Sequence, residues 1–242
     1  MQTKKGSTKR IQNLRQQSTE NFTPSISMER AVLITEAYKT YEGKHPAPVL
    51  RGLVFKHIME NRTLYFEPTS LIQGEKGHKP WAAPTFPELC CHSLEDLDNM
   101  NEREKVFFRV TEEDKQIQKD VIIPYWKDRA MMTKMNDLLP SGWQDLFSGG
   151  LYTEFLMQRG PGHTVADGKI YQKGYLDFID DIEYELKTLD YLNDKDALNK
   201  RHQLEGMKLV CEGMIIMGER YAALAGNLAA EENDPERKNE LL

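Results

Sequence analysis

Residues 155–165 read FLMQRGPGHTV, which sets a phenylalanine and a histidine eight positions apart across a Gly-Pro-Gly turn. Gly160 and Gly162 permit backbone conformations closed to other residues, and Pro161 stiffens the chain between them. A turn of this kind can hold one side chain in place, which proton transfer requires. The side chain it holds is His163, and an imidazole titrates at about pH 6.5, so it can act as acid or base near neutrality. Upstream, Phe155 could wall a pocket and exclude water, or simply belong to a core. From the residues alone two readings stay open for His163: a rigidly mounted acid–base group, or a structural turn residue. The candidate catalytic residue is His163, and the candidate substrate-binding residues are Phe155 and His163.

Elsewhere the chemical signals are thin. There is no P-loop, GxGxxG, HExxH or GxSxG pattern in the chain. His45 and His78 fall in polar loops, while His57 and His202 lie on helical patterns as core or boundary residues. His92 follows Cys91, a pairing that suggests a thiolate–imidazolium couple. Sequence neighbours point apart in an extended chain, so packing is the expectation for both. Cys90, Cys91 and Cys211 have no metal-ligand spacing, and two adjacent cysteines cannot form an ordinary disulfide. They read as small apolar packing residues in a reducing, cytosolic compartment, with no metal and no cofactor bound by this chain. Asp180, Asp181, Glu183 and Glu185 read as a solvated helix face. A net charge of −6 argues against nucleic acid or an anionic membrane as a general partner. No apolar run reaches the length of a membrane span, and no secretory h-region follows Met1.

The elements that must position these residues are mostly helices. Residues 1–24 read as a polar arm, basic at Lys4, Lys5, Lys9, Arg10 and Arg15, with a helical stretch around Ile11 and Leu14. Residues 25–242 read as one mainly α unit. Ser27 is expected to cap a helix with Glu29 in its first turn and Ala31, Ile34, Tyr38 and Tyr41 on one stripe, ended by Gly43. Leu50, Leu53, Val54, His57 and Ile58 predict a second helix, antiparallel to the first across GKHPAP. TLYF and SLIQG suit short strands or ordered loop. Ser93 with Asp96, and Thr111 with Asp114, predict capping boxes at the next two helices, the second stopping at Pro124 with Trp126 packing beyond. Residues 137–168, rich in glycine, are expected to be the least regular. A helix on the Tyr171, Tyr175, Phe178, Ile182, Leu186, Leu189 stripe follows, then a long one over 194–231. Gly206, Gly213, Gly218 and Ala222 should let neighbouring helices approach the long helix closely. That helix is apolar nearly all round and needs partners on several sides, and NDPERKNELL opens another, so the chain reads as truncated at its C-terminus.

Several long stretches resemble the opening segment of the glycyl radical enzymes, the pyruvate formate-lyase-like superfamily: SISMERAVLITEAYKTYEG, PVLRGLVFKHIMENRTL, APTFPELCCHSLEDL, EEDKQIQKDVIIPYWKDR and GERYAALAGNLAAEENDPERK. The resemblance runs from about Thr23 to the end, and CCHSLEDL and TEFLMQRGPGHTV are most similar to its hydroxyproline-dehydrating branch. It implies a mainly α fold with few short strands, the helical amino-terminal portion of a ten-stranded α/β barrel enzyme. It also implies a lyase that takes a hydroxyproline-like substrate to a pyrroline-5-carboxylate. A carboxy-terminal glycyl radical, installed by a separate radical S-adenosylmethionine activase with an iron–sulfur cluster, would pass to a thiyl cysteine; the whole enzyme is often a homodimer. In that branch a pocket phenylalanine and a histidine beside the leaving hydroxyl match Phe155 and His163. None of Cys90, Cys91 and Cys211 stands in the thiyl motif, so these residues alone are expected to be inactive. The ADGK that follows the histidine turn departs from the branch's pattern and leaves other glycyl radical reactions open: diol dehydration, carbon–sulfur cleavage or formate acetyltransfer. A non-catalytic helical module from a split gene is the reading from a different class.

Overall fold

The computed structural model describes residues 8–19, 23–151 and 167–242. In chain order their elements are α1 (Lys9–Thr19), β1 (Ser25–Ser27), α2 (Glu29–Tyr41), α3 (Ala47–Asn61), β2 (Ala82–Pro84), α4 (Leu94–Glu102), α5 (Glu112–Ile117), α6 (Ile123–Trp126), α7 (Met131–Leu138), α8 (Ser141–Ser148), α9 (Tyr175–Thr188), α10 (Ala197–Glu231) and α11 (Pro235–Leu241). A π turn, Gln118–Ile122, joins α5 to α6, and a 3-10 turn, Asp167–Tyr171, precedes α9. The mainly α expectation with few short strands holds among the described residues.

The centre is built by α2, α3 and the α5–α6 segment. Gly43, at φ +75°, turns the chain after α2, and the short connection brings α3 back against it. Their facing stripes bury Ala31, Ile34, Val54 and Ile58 with Leu97, Ile122 and Trp126. Polar groups inside are matched. Trp126 Nε1 donates to Thr35 Oγ1 at 2.8 Å, and Thr35 donates in turn to the Ala31 carbonyl at 2.6 Å. Both predicted capping boxes form. Asp96 N donates to Ser93 Oγ at 3.0 Å while Ser93 N donates to Asp96 Oδ2 at 2.8 Å, and Thr111 and Asp114 repeat the pattern.

Three local expectations are corrected. Ser27 does not cap α2; it lies in β1, which pairs in parallel with β2 in the register Ser25↔Ala82, Ile26↔Ala83, Ser27↔Pro84. The α2 cap is Met28, which has no side-chain acceptor, although Glu29 does occupy the first turn and accepts from Thr63 N at 2.8 Å. Of the two readings open for TLYF and SLIQG, ordered loop holds, and β2 is the AAP of 82–84. The helix does not stop at Pro124. Ile123 N–H reaches back five residues to Gln118 O, so Pro124 falls in the first turn of α6, where its missing N–H costs nothing. Residues 137–148 are not irregular, since α7 and α8 cover most of them.

The long helix is close to its expected span and packs along α3. A Cβ on Gly206 would lie 2.5 Å from Pro48 O, and one on Gly213 would meet the Phe55 ring at 3.1 Å. Gly218 has nothing within 4 Å and Ala222 is exposed, so close approach is confined to the first half of the small-residue series. Farther along, Arg220 donates to Met59 O and Arg62 O, filling carbonyls left free where α3 ends. At the two ends of the chain, Arg10 on α1 pairs with Glu240 on α11.

Candidate functional site

Phe155 and His163 lie outside the described residues. What is described is the frame on either side. α8 leads in and ends with Gly149 N–H on Asp145 O at 2.8 Å, followed by Gly150 at φ +73°. The Asp167–Tyr171 turn leads out toward α9.

Phe147, on α8, lines an open groove of about 710 Å³ with Phe86, Leu89, Met100, Phe108, Met131 and Met132. The groove floor is pinned locally, because Met131 N donates to Glu88 O at 2.9 Å and Met132 N to Leu89 O at 3.0 Å. These bonds seat the start of α7 on the FPELC segment. At the rim Arg30 forms an ion pair with Glu88 and stacks 3.9 Å above the Phe86 ring. The polar groups in the groove include Cys90, His92 and Asp96.

These groups do not make a nucleophilic couple. Burial pushes the Cys91 thiol up to about 11, with Cys90 adding to the rise, and Cys91 Sγ faces Gln118 Nε2 at 3.9 Å rather than an imidazole. Burial likewise pulls His92 down, against the pull of Asp96. His92 Nδ1 is 3.9 Å from Asp96 Oδ2, but that oxygen already holds Ser93 N. Both Cys91 and His92 are therefore neutral near pH 7, and packing is the role their positions support. Cys211 is buried, and its thiol too is raised by burial. Among the described residues no group of three His, Cys, Asp or Glu side chains could hold a metal ion. No helix among them is long and apolar enough to cross a membrane.

Of the remaining histidines, His57 stands between α2 and α3 with Nε2 3.9 Å from Glu36, and His78 Nδ1 lies 3.3 Å from Ser27 Oγ. The acidic face of α9 is not solvated throughout: Glu183 accepts from Lys208 at 2.7 Å and ties α9 to α10. The groove at α7 and α8 was not among the sequence expectations. Its signal, Met131-Met132 after Ala130, carries no periodicity and becomes a surface only through the contact with Glu88 and Leu89.

With this frame in view, comparison with known proteins defines the class. A family model described as pyruvate formate lyase-like matches residues 3–242, and the chain belongs to that family. The trans-4-hydroxy-L-proline dehydratase of Clostridioides difficile is 50% identical over 238 residues, which are 98% of this chain and 30% of that protein. The isethionate sulfite-lyase of Nitratidesulfovibrio vulgaris is 32% identical over 93% of this chain and 28% of its own length. Among solved structures, the Clostridioides difficile hydroxyproline dehydratase with trans-4-hydroxy-L-proline bound superposes with a TM-score of 0.91 at 49% identity, covering 98% of this chain and 30% of that one. The glycerol-bound B12-independent glycerol dehydratase of Clostridium butyricum superposes at 0.85 with 30% identity, over 99% of this chain and 31% of its own. The chain thus corresponds to the amino-terminal part of glycyl radical enzymes and spans about 30% of the length of these relatives.

Proposed function

We propose that these residues are the amino-terminal part of a glycyl radical lyase that dehydrates trans-4-hydroxy-L-proline to a pyrroline-5-carboxylate. One observation carries the reading: half of the residues are identical to a trans-4-hydroxy-L-proline dehydratase across nearly the whole chain. His163 then donates a ring N–H to the departing 4-hydroxyl oxygen, which leaves as water. Phe155 packs on the pyrrolidine ring and keeps bulk water from that proton.

The radical centre supplies hydrogen abstraction when installed by a radical S-adenosylmethionine activase, the partner this reading requires. None of Cys90, Cys91 and Cys211 stands in the sequence motif that the family's thiyl cysteine occupies. The reading therefore puts the thiyl cysteine, its glutamate and the radical glycine outside these 242 residues, and these residues alone without activity. The whole enzyme is read as a cytoplasmic homodimer of an anaerobic cell. Relatives that cleave isethionate at 32% identity keep a second reading in view, another bond broken within the same family.

The test uses the full-length protein that carries these residues, activated without oxygen and offered trans-4-hydroxy-L-proline, isethionate and glycerol. Only hydroxyproline is expected to turn over, and His163→Gln is expected to lower kcat by about 100-fold. Turnover of glycerol or isethionate without hydroxyproline would overturn the assignment. Full activity in the His163→Gln protein would remove the proposed acid.

A further inference from the structure

Tyr38, Trp126 and Tyr125 stand ring to ring at the edge of the core. The Trp126 centroid is 5.0 Å from that of Tyr38 at an interplanar angle of 72°, and 5.1 Å from that of Tyr125 at 80°. Trp126 is 3% exposed. Tyr125 reaches the surface, where its hydroxyl donates to Glu42 Oε2 at 2.6 Å, and the same oxygen accepts from Arg129 at 2.6 Å. Edge-to-face packing explains the ring contacts, but it does not require a carboxylate on the outer phenol.

What the three rings can do together depends on where a proton goes when one electron is removed. Trp126 Nε1–H donates to the Thr35 hydroxyl, which itself donates to a backbone carbonyl. A hydroxyl is too weak a base to take the proton of an oxidised indole. The charge on an oxidised Trp126 would therefore persist in an apolar setting that disfavours it. Tyr125 differs because it touches a base. An electron moves from Tyr125 to the Trp126 radical cation, the phenolic proton moves to Glu42, and a neutral phenoxyl radical remains. Arg129 lies 4.6 Å and Lys39 5.7 Å from the Tyr125 ring centre, so a positive charge cannot rest there and the proton must leave with the electron. Tyr38 is as near to Trp126, but its hydroxyl has no hydrogen-bond partner among the described residues, hence no base in contact.

We propose that Tyr125 is the surface outlet of a one-electron relay that draws an oxidising equivalent out of buried Trp126, with Glu42 accepting the phenolic proton. The oxidant is a one-electron oxidant such as an oxygen-centred radical. The reductant that resets Tyr125 is a soluble thiol, which returns a hydrogen atom to the phenoxyl oxygen and becomes a thiyl radical, while Glu42 loses its extra proton to water. This relay does not depend on the proposed dehydration.

Photoionisation of Trp126 tests it, in the full chain with Trp81→Phe and Trp143→Phe and with the ejected electron scavenged. The indole radical is expected to decay in first order as a phenoxyl band grows. Tyr125→Phe and Glu42→Gln should each slow that decay by about tenfold or more, while Tyr38→Phe leaves it unchanged. Tyr125→Phe keeps the ring and Glu42→Gln changes a surface group, so the core survives both. Decay that is indifferent to Tyr125→Phe, or to Glu42→Gln, or that slows instead in Tyr38→Phe, overturns the proposal.

Discussion

α3 is held differently on its two sides. Toward α2, Val54 and Ile58 enter a continuous apolar core with Ala31, Ile34, Leu97, Ile122 and Trp126. Toward α10 the closest approach is backbone on backbone, since a Cβ on Gly52 would fall 2.7 Å from Gly206 O and one on Gly206 would fall 2.5 Å from Pro48 O. Around that contact the bonds are polar and partly solvated: Lys56 with Glu212 at 2.8 Å, and Arg220 on two carbonyls of the α3 end. Burial of apolar surface stabilises in proportion to the area removed from water, so the first side tolerates repacking but not loss. Backbone contact stabilises by fit, so the second tolerates no added atom. α10 also keeps Leu198, Met207 and Val210 exposed, and so has less apolar area to resist separation.

Three measurements sharpen or break that contrast. Ile122 has no exposed surface, and Ile122→Ala is expected to cost about 3 kcal/mol in urea unfolding through transfer and cavity terms together. A loss below about 1 kcal/mol would mean that the core closes around the gap and is not as tightly packed as it looks. Gly206→Ala is expected to cost about 2 kcal/mol, with amide-exchange protection lost along α10 and kept in α2. Equal loss of protection in both helices would show that the two sides of α3 are one cooperative unit. The smallest effect is Lys56→Met, expected at about 0.5 kcal/mol and largely absent in high salt, because both partners of the ion pair are partly exposed. A cost of several kcal/mol there would shift weight from the glycine contact to the charges.

For the candidate site, the sequence pointed to Phe155 and His163 through their spacing across a Gly-Pro-Gly turn, and a family resemblance supplied the roles. Both residues lie outside the described residues, whose share is the frame from α8 to the Asp167–Tyr171 turn. The suspicion raised by Cys91-His92 was settled by environment. Enclosure raises the thiol and lowers the imidazole, and that is invisible in a dipeptide. Ser27 shows the converse error. Its residue type suits a helix cap, but a strand 55 or more residues later claims its backbone.

What the sequence alone determined is what is satisfied within a few residues of itself. Ser93 with Asp96 and Thr111 with Asp114 close their own hydrogen bonds three residues apart, Gly43 provides its own turn, and the 3.6-residue stripes of α2 and α3 mark their buried faces, whereas the stripe read from Tyr171 to Leu189 buries Ile182 and leaves Tyr171 and Tyr175 exposed. Only the tertiary structure decided what depends on a distant partner. The parallel pairing of β1 with β2, the apposition of Gly52 and Gly206, and the Glu42 carboxylate on Tyr125 each join residues far apart in the chain. The passage of the helix through Pro124 belongs with them: a π turn moves the proline into a first turn, with buried Gln118 at the start of that turn anchored on His92 O at 2.6 Å. Local hydrogen bonds are written in local sequence, whereas the pairings between distant residues, the Gln118–His92 anchor among them, form only when long loops close, and no short window of residues encodes that closure.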